Sequence, residues 1–465
     1  MKAGTTPLPR IAIVGGGIGG LAAAAFLRRQ GLPSTVYEQA AQLTEVGAGL
    51  VVAPNAARLL RRLGVLDHLR ERAVQLDTGW EFRRWADGTV LSSENLSAAC
   101  ERLYGEHTYT VHRADLLRVI ASRVPAHSIE LGRKCTGLDF RRGALRLDFA
   151  DGHCAEADVV IGADGVHSLV RSTIFGVSPA TYSGICAFRA LVPAGAAPPF
   201  ARRPAQTLWI GPDHHLVHYP VSAGQRVNLV AFAPAGDYTV ESWTATATVE
   251  EFLAEFDGWD RRLAGLIRAA GTPGRWALLD RAPLPRWSES GITLLGDAAH
   301  PMFPFFAQGA AQSIEDAAVL ARCLADGIGN PAAALRRYEQ LRIPRTTRLQ
   351  AVSHGRSQVN HLPDGPEQRK RDAAFAQEDP LVANRWIYDY DPDAALDGAV
   401  ATRPLPLSHP GPRGRRDRAT AAQPMGLPFN AAEREDSAMR FAHQTLPQRV
   451  VFASGEAPGH HPVWL

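Results

Sequence analysis

Residues 294–320 read LLGDAAHPMFPFFAQGAAQSIEDAAVL and carry the strongest structural signal in the chain. They predict a short apolar strand that ends in Gly296 and Asp297, a turn containing Pro and Gly, and a helix that begins near Gln308-Gly309. A strand-end Asp accepts hydrogen bonds from sugar hydroxyls, and the first N–H groups of a helix are available to phosphate or to an electron-rich oxygen. We therefore expect the backbone here to approach an extended polyol and an aromatic ring.

A second ligand-binding signal stands near the start of the chain. Ile11–Val14 is a fully apolar run typical of a buried parallel strand, GGGIGG follows at 15–20, and Leu21–Gln30 has helical composition. Ser34–Tyr37 then predicts a second strand, which ends in Glu38. This strand–helix–strand order over about thirty residues is the context that a dinucleotide-binding fingerprint requires.

The three spaced glycines of this fingerprint have separate roles. Gly15 permits the tight turn, Gly17 lets the backbone reach a pyrophosphate, and Gly20 lets the helix pack on the strand. Glu38 is placed to accept both ribose hydroxyls of an adenosine. Its charge opposes a 2′-phosphate and favours FAD or NAD over NADP at this site. A glycine turn without a ligand is the alternative interpretation.

The rest of the chain alternates between two patterns. Residues 157–164 predict another apolar strand, which runs into GADG at 162–165. The same α/β pattern returns at 291–297. Residues 181–284 show alternating strands, turns and many aromatic side chains, which is typical of an antiparallel sheet. Residues 78–90 have near-alternating aromatics and predict antiparallel strands as well.

Composition sets broad limits on function. The 465 residues are 45% hydrophobic and 21% charged, as in an ordinary globular protein, and a net charge of +3 gives no reason to expect a nucleic-acid or membrane partner. Five cysteines without a CxxC pair predict reduced thiols and no metal site. The N-terminus lacks an apolar signal core, and no apolar run is long enough to cross a bilayer. We expect a cytoplasmic monomer or homodimer, with an irregular or disordered tail over 401–465.

Three glycine-containing motifs occur in a fixed order: GGGIGG at 15–20, GADG at 162–165 and GDAAHP at 296–301. In this order and at these separations the chain resembles the single-component FAD-dependent aromatic hydroxylases, especially the salicylate, hydroxybenzoate and 6-hydroxynicotinate monooxygenases. The resemblance extends from residue 8 to about residue 400. It implies an α/β fold like that of p-hydroxybenzoate hydroxylase, in which an antiparallel β-sheet substrate domain interrupts a Rossmann-type FAD-binding domain and a helical segment follows.

The resemblance also implies domain limits and an activity. Residues 8–180 and 285–360 would form the FAD-binding domain, with 76–100 contributing to the substrate lobe; 181–284 would form the substrate domain and 361–400 the helical C-terminal segment. The enzyme would hydroxylate a phenolic or N-heteroaromatic acid with O2 through a flavin C4a-hydroperoxide. FAD would be the cofactor, and NADH or NADPH a transient co-substrate.

The cofactor contacts of the family carry over to matching positions of this sequence. The glycine fingerprint would hold the pyrophosphate of FAD, and Glu38 the adenosine ribose. Arg113 would contact FAD between its phosphates and the flavin, and Asp297 would bind the ribityl chain. The remaining cofactor-contacting positions are Asp164, Gly165, Gly296, Pro304, Gly309 and Ala310.

The sequence departs from the family pattern at two positions of the loop before the last motif helix. Many relatives have GQG there, where this chain has Ala307-Gln308-Gly309. The contact is made mostly by backbone, so we expect Ala to suffice. Residue 305 is Phe where several hydroxylases of carboxylated phenols have His. Phe305 is therefore a candidate pocket residue, and the identity of the ring substrate stays open.

A base that deprotonates a ring hydroxyl makes the ring a better nucleophile, and a His or Tyr–His pair suits this task near neutral pH. The segment DHHLVHYP at 213–220 lies in the predicted sheet, and in a strand His215, Val217 and Tyr219 share one face. We predict His215 and Tyr219 as the catalytic pair, similar to an arrangement in hydroxynicotinate-type relatives. Surface histidines beside a core tyrosine are the alternative. No carboxylate or Cys lies at ligand spacing on one face, so a metal site is the weaker interpretation.

Four further residues have two interpretations each. Arg189 is either a partner for a substrate carboxylate or an exposed strand arginine. His300 is expected to cap or pack its loop rather than act as the general base. Trp209 and Cys186 are expected in the core rather than in the pocket.

Other functions stay compatible with the sequence. A flavin hydroxylase or epoxidase acting on a larger polyketide- or alkaloid-like ring fits the apolar Phe305-Phe306 pair. A flavin halogenase is disfavoured because no WxWxIP-like segment is present. A non-enzymatic FAD-holding scaffold, whose tail rich in Pro and Arg recruits a partner, is the alternative from another class. The complete set of flavin motifs weighs against that scaffold.

Overall fold

The computed structural model describes residues 8–43, 48–141, 144–177, 180–236 and 245–398. The predicted tail at 401–465 lies outside the described residues. None of the helices in these ranges is both long enough and apolar enough to cross a bilayer.

The strands of the described residues, in chain order, are β1 Ile11–Val14, β2 Ser34–Tyr37, β3 Gly49–Val52, β4 Val74–Gln75, β5 Thr78–Arg84, β6 Val90–Asn95, β7 Tyr109–His112, β8 Ile129–Glu130, β9 Cys135–Arg141, β10 Ala144–Phe149, β11 Cys154–Ala157, β12 Val159–Gly162, β13 Thr181–Pro193, β14 Ala205–Gly211, β15 His214–Val221, β16 Arg226–Pro234, β17 Gly274–Asp280, β18 Ser288–Glu289 and β19 Ile292–Leu294.

The α-helices of the same residues are α1 Ile18–Arg29, α2 Pro54–Arg62, α3 Leu66–Arg70, α4 Ser97–Tyr104, α5 Arg113–Ala121, α6 Leu169–Phe175, α7 Val249–Glu255, α8 Arg261–Arg268, α9 Gly309–Asp326, α10 Pro331–Asn360, α11 Pro366–Gln377, α12 Pro380–Ala383, α13 Arg385–Tyr388 and α14 Pro392–Leu396. Short 3-10 turns occupy Ala126–Ser128, Pro199–Arg202, Gly296–Ala298 and Pro304–Phe306.

The first sheet brings the three glycine motifs to one edge. Its strand order is β18-β19-β12-β1-β2-β8, and β1 pairs in parallel with both β2 and β12. Val14 lies opposite Gly162 and Tyr37, and Gly162 lies opposite Leu294. The three motifs and Glu38 therefore follow strands that end in the same row, at the carboxyl edge where open α/β sheets bind ligands.

Glycines allow the first helix to sit close to this edge. A Cβ on Gly20 would lie 1.9 Å from the Gly15 carbonyl oxygen and 3.3 Å from a methyl group of Ile13. A Cβ on Gly19 would lie 2.6 Å from the Leu295 side chain. Only glycine fits at position 20, where the obstacle is backbone, whereas a side chain at position 19 would require Leu295 to move. Helix α1 therefore packs tightly against both β1 and Leu295, just before the 296–310 loop.

The second sheet has the order β17-β13-β16-β15-β14-β5-β6 and is antiparallel except that β14 and β5 pair in parallel. The expectation of strands and turns throughout 181–284 was wrong in one part, because α7 and α8 lie there. A capping box between Thr248 and Glu251 starts α7. Phe252 and Leu266 of these helices are buried against one face of the sheet, so amphipathic helices cover a face that strands alone would leave exposed.

The loop that follows β19 is held by a buried charge cluster. The fully buried guanidinium of Arg342 on α10 donates to Glu315 at 2.6 Å and to Asp316 at 2.7 Å, both on α9 and both fully buried. Asp316 in turn accepts from the Gly296 N–H at 3.0 Å and pairs with His300 Nε2 at 2.6 Å. One carboxylate therefore fixes both ends of the GDAAH turn against α9.

This cluster also couples stability to pH. Burial alone would raise the pKa of Asp316, but the charges of His300 and Arg342 lower it to about 2. The stabilisation from this carboxylate is therefore present above its ordinary pKa and is lost as the pH falls toward 2. His300 is 1% exposed and packs the loop, as the sequence predicted.

We predict that Arg342→Met destabilises the protein by about 3–5 kcal/mol, because it removes the buried cation that the buried carboxylates of Glu315 and Asp316 share. The measurement is the free energy of unfolding in urea. The matched control is Arg322→Met, which removes a half-exposed pair with Asp326 from α9 and should cost about 0.5 kcal/mol or less. Equal losses in the two variants would contradict the prediction.

Candidate functional site

The glycine fingerprint combines a close backbone contact with open space. Gly15 has φ 107°, and a Cβ there would lie 2.3 Å from the Ala163 carbonyl oxygen. Gly17, the N-cap of α1, would place a Cβ with nothing within 4 Å. The backbone of the first turn of α1 is therefore accessible, as binding of a pyrophosphate at a helix N-terminus requires.

Glu38 lies beside this turn and already accepts backbone hydrogen bonds. One carboxylate oxygen accepts from the Gly16 N–H at 2.6 Å and the other from the Ala40 N–H at 2.8 Å. These bonds hold the carboxylate next to the fingerprint, at the end of β2. The position suits a carboxylate that receives ribose hydroxyls.

The second motif forms a helix cap. Asp164 accepts from the Ser168 hydroxyl at 2.5 Å and from the Val170 N–H at 3.1 Å, at the start of α6. Burial raises the pKa of the Asp164 carboxyl. Gly165 has φ 77°, and a Cβ there would meet nothing within 4 Å, so this residue lies beside open space. Asp164 thus has a local structural role here, and its contact with a nucleotide stays a prediction.

The 296–310 loop presents polar and backbone groups to the same region. Asp297 is exposed, and its carboxylate has no hydrogen-bond partner among the described residues. Pro304 is also exposed and begins a 3-10 turn. Gly309 is the first residue of α9, with Ala310 behind it, and a Cβ on Gly309 would meet nothing within 4 Å. A second accessible helix N-terminus therefore follows the exposed acid.

Ala307 adopts the left-handed conformation, with φ 51°. This conformation costs an alanine about 1 kcal/mol relative to glycine. Many relatives have the first glycine of GQG where this chain has Ala307. The backbone of those relatives would not be strained at this position. The expectation that Ala suffices is compatible with the fold, at that energetic cost.

Arg113 lies between the candidate cofactor region and the second sheet. It is the first residue of α5, and its N–H donates to the Ala48 carbonyl at 2.8 Å. Its charge is close enough to Arg189 in the second sheet to lower the pKa of that guanidinium, after the larger effect of burial. The candidate cofactor region and the second sheet therefore meet near Arg113.

One face of the second sheet carries the predicted catalytic and substrate residues. Across the antiparallel strands, Arg189 lies opposite Val230, and Val230 lies opposite Val217. His215 lies opposite Phe232 in the neighbouring row. Directly opposed residues share a face and the side-chain period is two, so Arg189 and His215 point to the same side of the sheet.

His215 is enclosed by rings. It is 1% exposed, stacks on Phe232 at a centroid distance of 4.4 Å, and meets the edge of Phe305 at 5.1 Å. Its Nδ1 shares a hydrogen bond of 2.6 Å with Nε2 of His361. Burial lowers the pKa of His215 well below its ordinary value, so the imidazole is neutral near neutral pH and can accept a proton.

Tyr219 lies on the same face, where the second sheet meets β3, a strand of a separate three-stranded sheet with the order β3-β7-β4. Asn228 opposite it accepts from the Gly49 N–H at 2.8 Å. A Cβ on Gly49 would lie 2.7 Å from the Tyr219 ring. Burial raises the pKa of Tyr219 to about 12, so the phenol keeps its proton and can donate a hydrogen bond.

Arg189 is partly buried and has unusual surroundings for a cation. Its guanidinium lies 4.9 Å from the centroid of the Trp276 ring, and its Nε has no hydrogen-bond partner in the described part of the chain. No carboxylate of the described residues forms an ion pair with it. The interpretation as an exposed strand arginine was therefore wrong. A buried cation without an anion is costly, so the arrangement favours an anionic ligand.

The opposite face of the sheet is ordinary core. Cys186 and Trp209 are fully buried there with Phe252 of α7, as the sequence predicted for both. Trp209 Nε1 donates to His218 Nε2 at 3.2 Å. His214 pairs instead with Glu255 at 3.2 Å, so the histidines of β15 point to different partners.

A buried acid behind the 296–310 loop was not predicted. Glu94 is fully buried; Asn384 donates to it at 3.1 Å and the Tyr388 hydroxyl at 3.4 Å. Burial raises the pKa of Glu94 to about 8. Its second oxygen has no partner among the described residues and borders a cavity of about 10 Å³ that Phe306 and Gln308 also line, room for about one water.

Sequence patterns carry little signal for the residues that support this site. His361 follows a helix without any motif, and it lies 146 positions from His215. Glu94 has the appearance of an ordinary polar strand residue. Arg342 carries a faint signal, because one predicted helix has arginines at 342 and 345 and another has an acidic pair at 315–316. Only the fold shows that these charges meet.

Comparisons with known proteins agree with this geometry. Residues 9–353 match the family model described as FAD binding domain. The chain is 42% identical over 387 residues to a 3-amino-4-hydroxybenzoate 2-monooxygenase of Streptomyces platensis, covering 83% of this chain and 97% of that relative. It is 38% identical over 353 residues to a 6-hydroxynicotinate 3-monooxygenase of Pseudomonas fluorescens, covering 74% and 90%. A solved salicylate hydroxylase substrate complex is similar with a TM-score of 0.71 and 27% identity, covering 85% and 98%.

We predict that Glu94→Gln becomes increasingly stabilising as the pH rises from about 5 to 8. The folded protein keeps the Glu94 proton up to about pH 8, whereas the unfolded chain releases it above its ordinary pKa, so wild-type stability falls across this range. Glutamine has no proton to lose. The stability difference between variant and wild type, from urea unfolding at both pH values, should grow by more than about 1.4 kcal/mol.

The control for this prediction is Glu367→Gln, an exposed glutamate at the start of α11. Its stability difference should not change with pH. A Glu94→Gln difference that is equally flat would show that Glu94 is ionised in the folded protein.

Proposed function

We propose a substrate class for this chain from one premise: the chain belongs to the family of single-component FAD-dependent aromatic hydroxylases. It is an FAD- and NAD(P)H-dependent monooxygenase of aromatic rings. The proposed substrate is a benzene or pyridine carboxylic acid that carries a ring hydroxyl. The relatives from Streptomyces platensis and Pseudomonas fluorescens are named for acids of this kind.

The observation that carries the proposal is the unpaired Arg189 on the same sheet face as His215. The two side chains stand on β13 and β15, which β16 separates, so the strands are about 10 Å apart. A ring with a carboxylate at one end and a hydroxyl at the other bridges such a gap between side chains. Arg189 would bind the carboxylate as a charge-assisted pair, and His215 would meet the hydroxyl.

The proposed role of His215 is that of general base. Its Nδ1 is occupied by His361, and its Nε2 has no partner among the described residues, so Nε2 would accept the proton of the ring hydroxyl. The resulting oxyanion makes the ring electron-rich. Tyr219, which keeps its own proton, would orient the substrate by a hydrogen bond. Phe232 and Phe305 enclose the imidazole and would exclude water from the reacting ring.

FAD supplies the oxygen-transfer chemistry when it is bound. We propose that Gly15, Gly17 and Gly20 hold its pyrophosphate and that Glu38 holds its ribose. The open helix N-termini at Gly17 and Gly309 support this assignment. The other proposed cofactor contacts are Arg113, Asp164, Gly165, Gly296, Asp297, Pro304, Gly309 and Ala310.

The proposed domain limits follow the sheets: an FAD-binding domain of 8–180 and 285–360, and a substrate domain of 181–284 joined by 76–100. The free state of all five cysteines supports a reducing, cytoplasmic location. The proposed assembly is a monomer or homodimer, with NADH or NADPH bound transiently.

The first test of this function is a substrate panel with the Arg189→Met variant. We expect the wild-type enzyme to couple NAD(P)H oxidation to product with 3-amino-4-hydroxybenzoate or 6-hydroxynicotinate, and to accept the matching rings without a carboxyl group poorly. Arg189→Met should raise KM for the acids by about tenfold or more, the loss of one charged hydrogen bond, and leave KM for the uncharged rings unchanged. Equal effects on both groups would remove Arg189 from carboxylate recognition.

The second test is His215→Ala. We expect it to retain FAD and to lose hydroxylation by about 10²–10⁴-fold, the usual contribution of a general base. The matched control is His218→Ala, a buried histidine of the same strand that faces the opposite core. Product is quantified per bound flavin, so a fold defect is separated from a catalytic one. Normal product formation by His215→Ala would exclude the residue as the base.

A further inference from the structure

We propose that His361 is the positioning residue through which the proton taken up by His215 leaves the closed site. This inference rests on the proposed base role of His215. The two residues lie 146 positions apart, yet Nδ1 of His215 and Nε2 of His361 are 2.6 Å apart and share a hydrogen bond whose direction depends on the tautomers.

Because His215 is enclosed, a proton that it accepts needs a route to solvent. Its ring is 1% exposed, between Phe232 on one side and the edge of Phe305 on another. A proton accepted at Nε2 therefore has no direct path to water once a substrate covers that atom. The hydrogen bond at Nδ1 is the polar contact that leads away from the substrate side.

His361 is placed between the buried ring and solvent. It is the C-cap of α10 and is only partly buried, unlike His215. Its carbonyl accepts from the Asp213 N–H at 3.1 Å, which fixes the helix end against the turn before β15. Its Nδ1 has no hydrogen-bond partner among the described residues. That atom is the one from which a proton can pass to water.

The transfer balances without any change of charge on the pair. The ring hydroxyl gives its proton to Nε2 of His215, Nδ1 of His215 gives its proton to Nε2 of His361, and Nδ1 of His361 gives its proton to water. Both imidazoles end neutral, each in the other tautomer. The reverse sequence resets the pair when a proton returns to the site.

Neutral rings suit this exchange. Burial, and then the nearby His361 and His214, lowers the pKa of His215 well below its ordinary value. Burial, followed by His214, lowers the pKa of His361 to about 4. Neither ring would hold a charge near neutral pH, so a proton passes through the pair and is not stored on it.

A purely structural role is the competing explanation. A buried Nδ1 needs a hydrogen-bond partner, and His361 supplies one. Substitution of His361 by glutamine separates the relay from the purely structural role. Glutamine at 361 can still hydrogen-bond His215, but it cannot take a proton on one atom and release another.

The experiment compares wild type, His361→Gln and His361→Phe as FAD-loaded enzymes. Proton release on binding 3-amino-4-hydroxybenzoate is followed by stopped flow with a pH indicator in weak buffer, alongside KM and kcat. We expect both variants to slow proton release and to lower kcat by about tenfold or more, with KM and bound FAD unchanged. Added imidazole should restore part of the rate in a third variant, His361→Ala, whose truncated side chain leaves space for a ring.

The matched control is His354→Gln on the same helix. His354 hydrogen-bonds Gln350 and Asp280 and makes no contact with His215. It should release protons at the wild-type rate. A His361→Gln enzyme that does the same would overturn the relay and leave His361 as a hydrogen-bond partner only.

Double variants separate this inference from the proposed function. If His361 acts through His215, His361→Gln should cause no further loss of kcat in a His215→Ala background. Full activity of His215→Ala alone would refute the base role and the relay together. Loss of activity in His215→Ala combined with normal proton release in His361→Gln would refute the relay alone.

Discussion

The buried pairing of Arg342 with Glu315 and Asp316 is the constraint on which the site depends. These groups are fully buried, so the low dielectric makes any separation costly. Asp316 also holds the two ends of the GDAAH turn, through Gly296 and His300. The 296–310 loop is thereby held in a fixed position against α9.

The alternation of side chains along the strands of the second sheet separates the proposed site residues from the hydrophobic core. One face carries Arg189, His215 and Tyr219, and the other face is closed by α7 and α8 around Trp209. A shift of register by one residue would turn the polar groups into the core. The long antiparallel ladders between β13, β16 and β15 prevent that shift. The placement of the proposed catalytic residues is therefore a consequence of strand pairing more than of any single contact.

Most of the cofactor region could be predicted, because its signals are local. Gly15–Gly20 and Glu38 stand in one strand–helix–strand unit, and the beginning of α9 at Gly309 follows directly from the sequence. The helices α7 and α8 were missed because aromatic-rich alternation on either side masked a short amphipathic pattern. Of the two interpretations of Arg189, the exposed strand arginine was wrong, and the sequence could not decide between them because a strand arginine gives no local sign of what covers it.

The sequence by itself indicated the cofactor and the class of reaction through three motifs whose order resembles that of a known family. Its strand period of two also indicated the face on which His215 and Tyr219 lie, because period is a property of neighbouring residues. Only the tertiary structure decided which distant groups meet: Arg342 with the 315–316 pair, Glu94 with Tyr388, and His361 with His215. Such partners are brought together by the packing of whole elements, and no local pattern in the chain records where a helix end will lie. The hydrogen bond on which the proposed proton route depends and the anchoring of the loop are therefore properties of the fold.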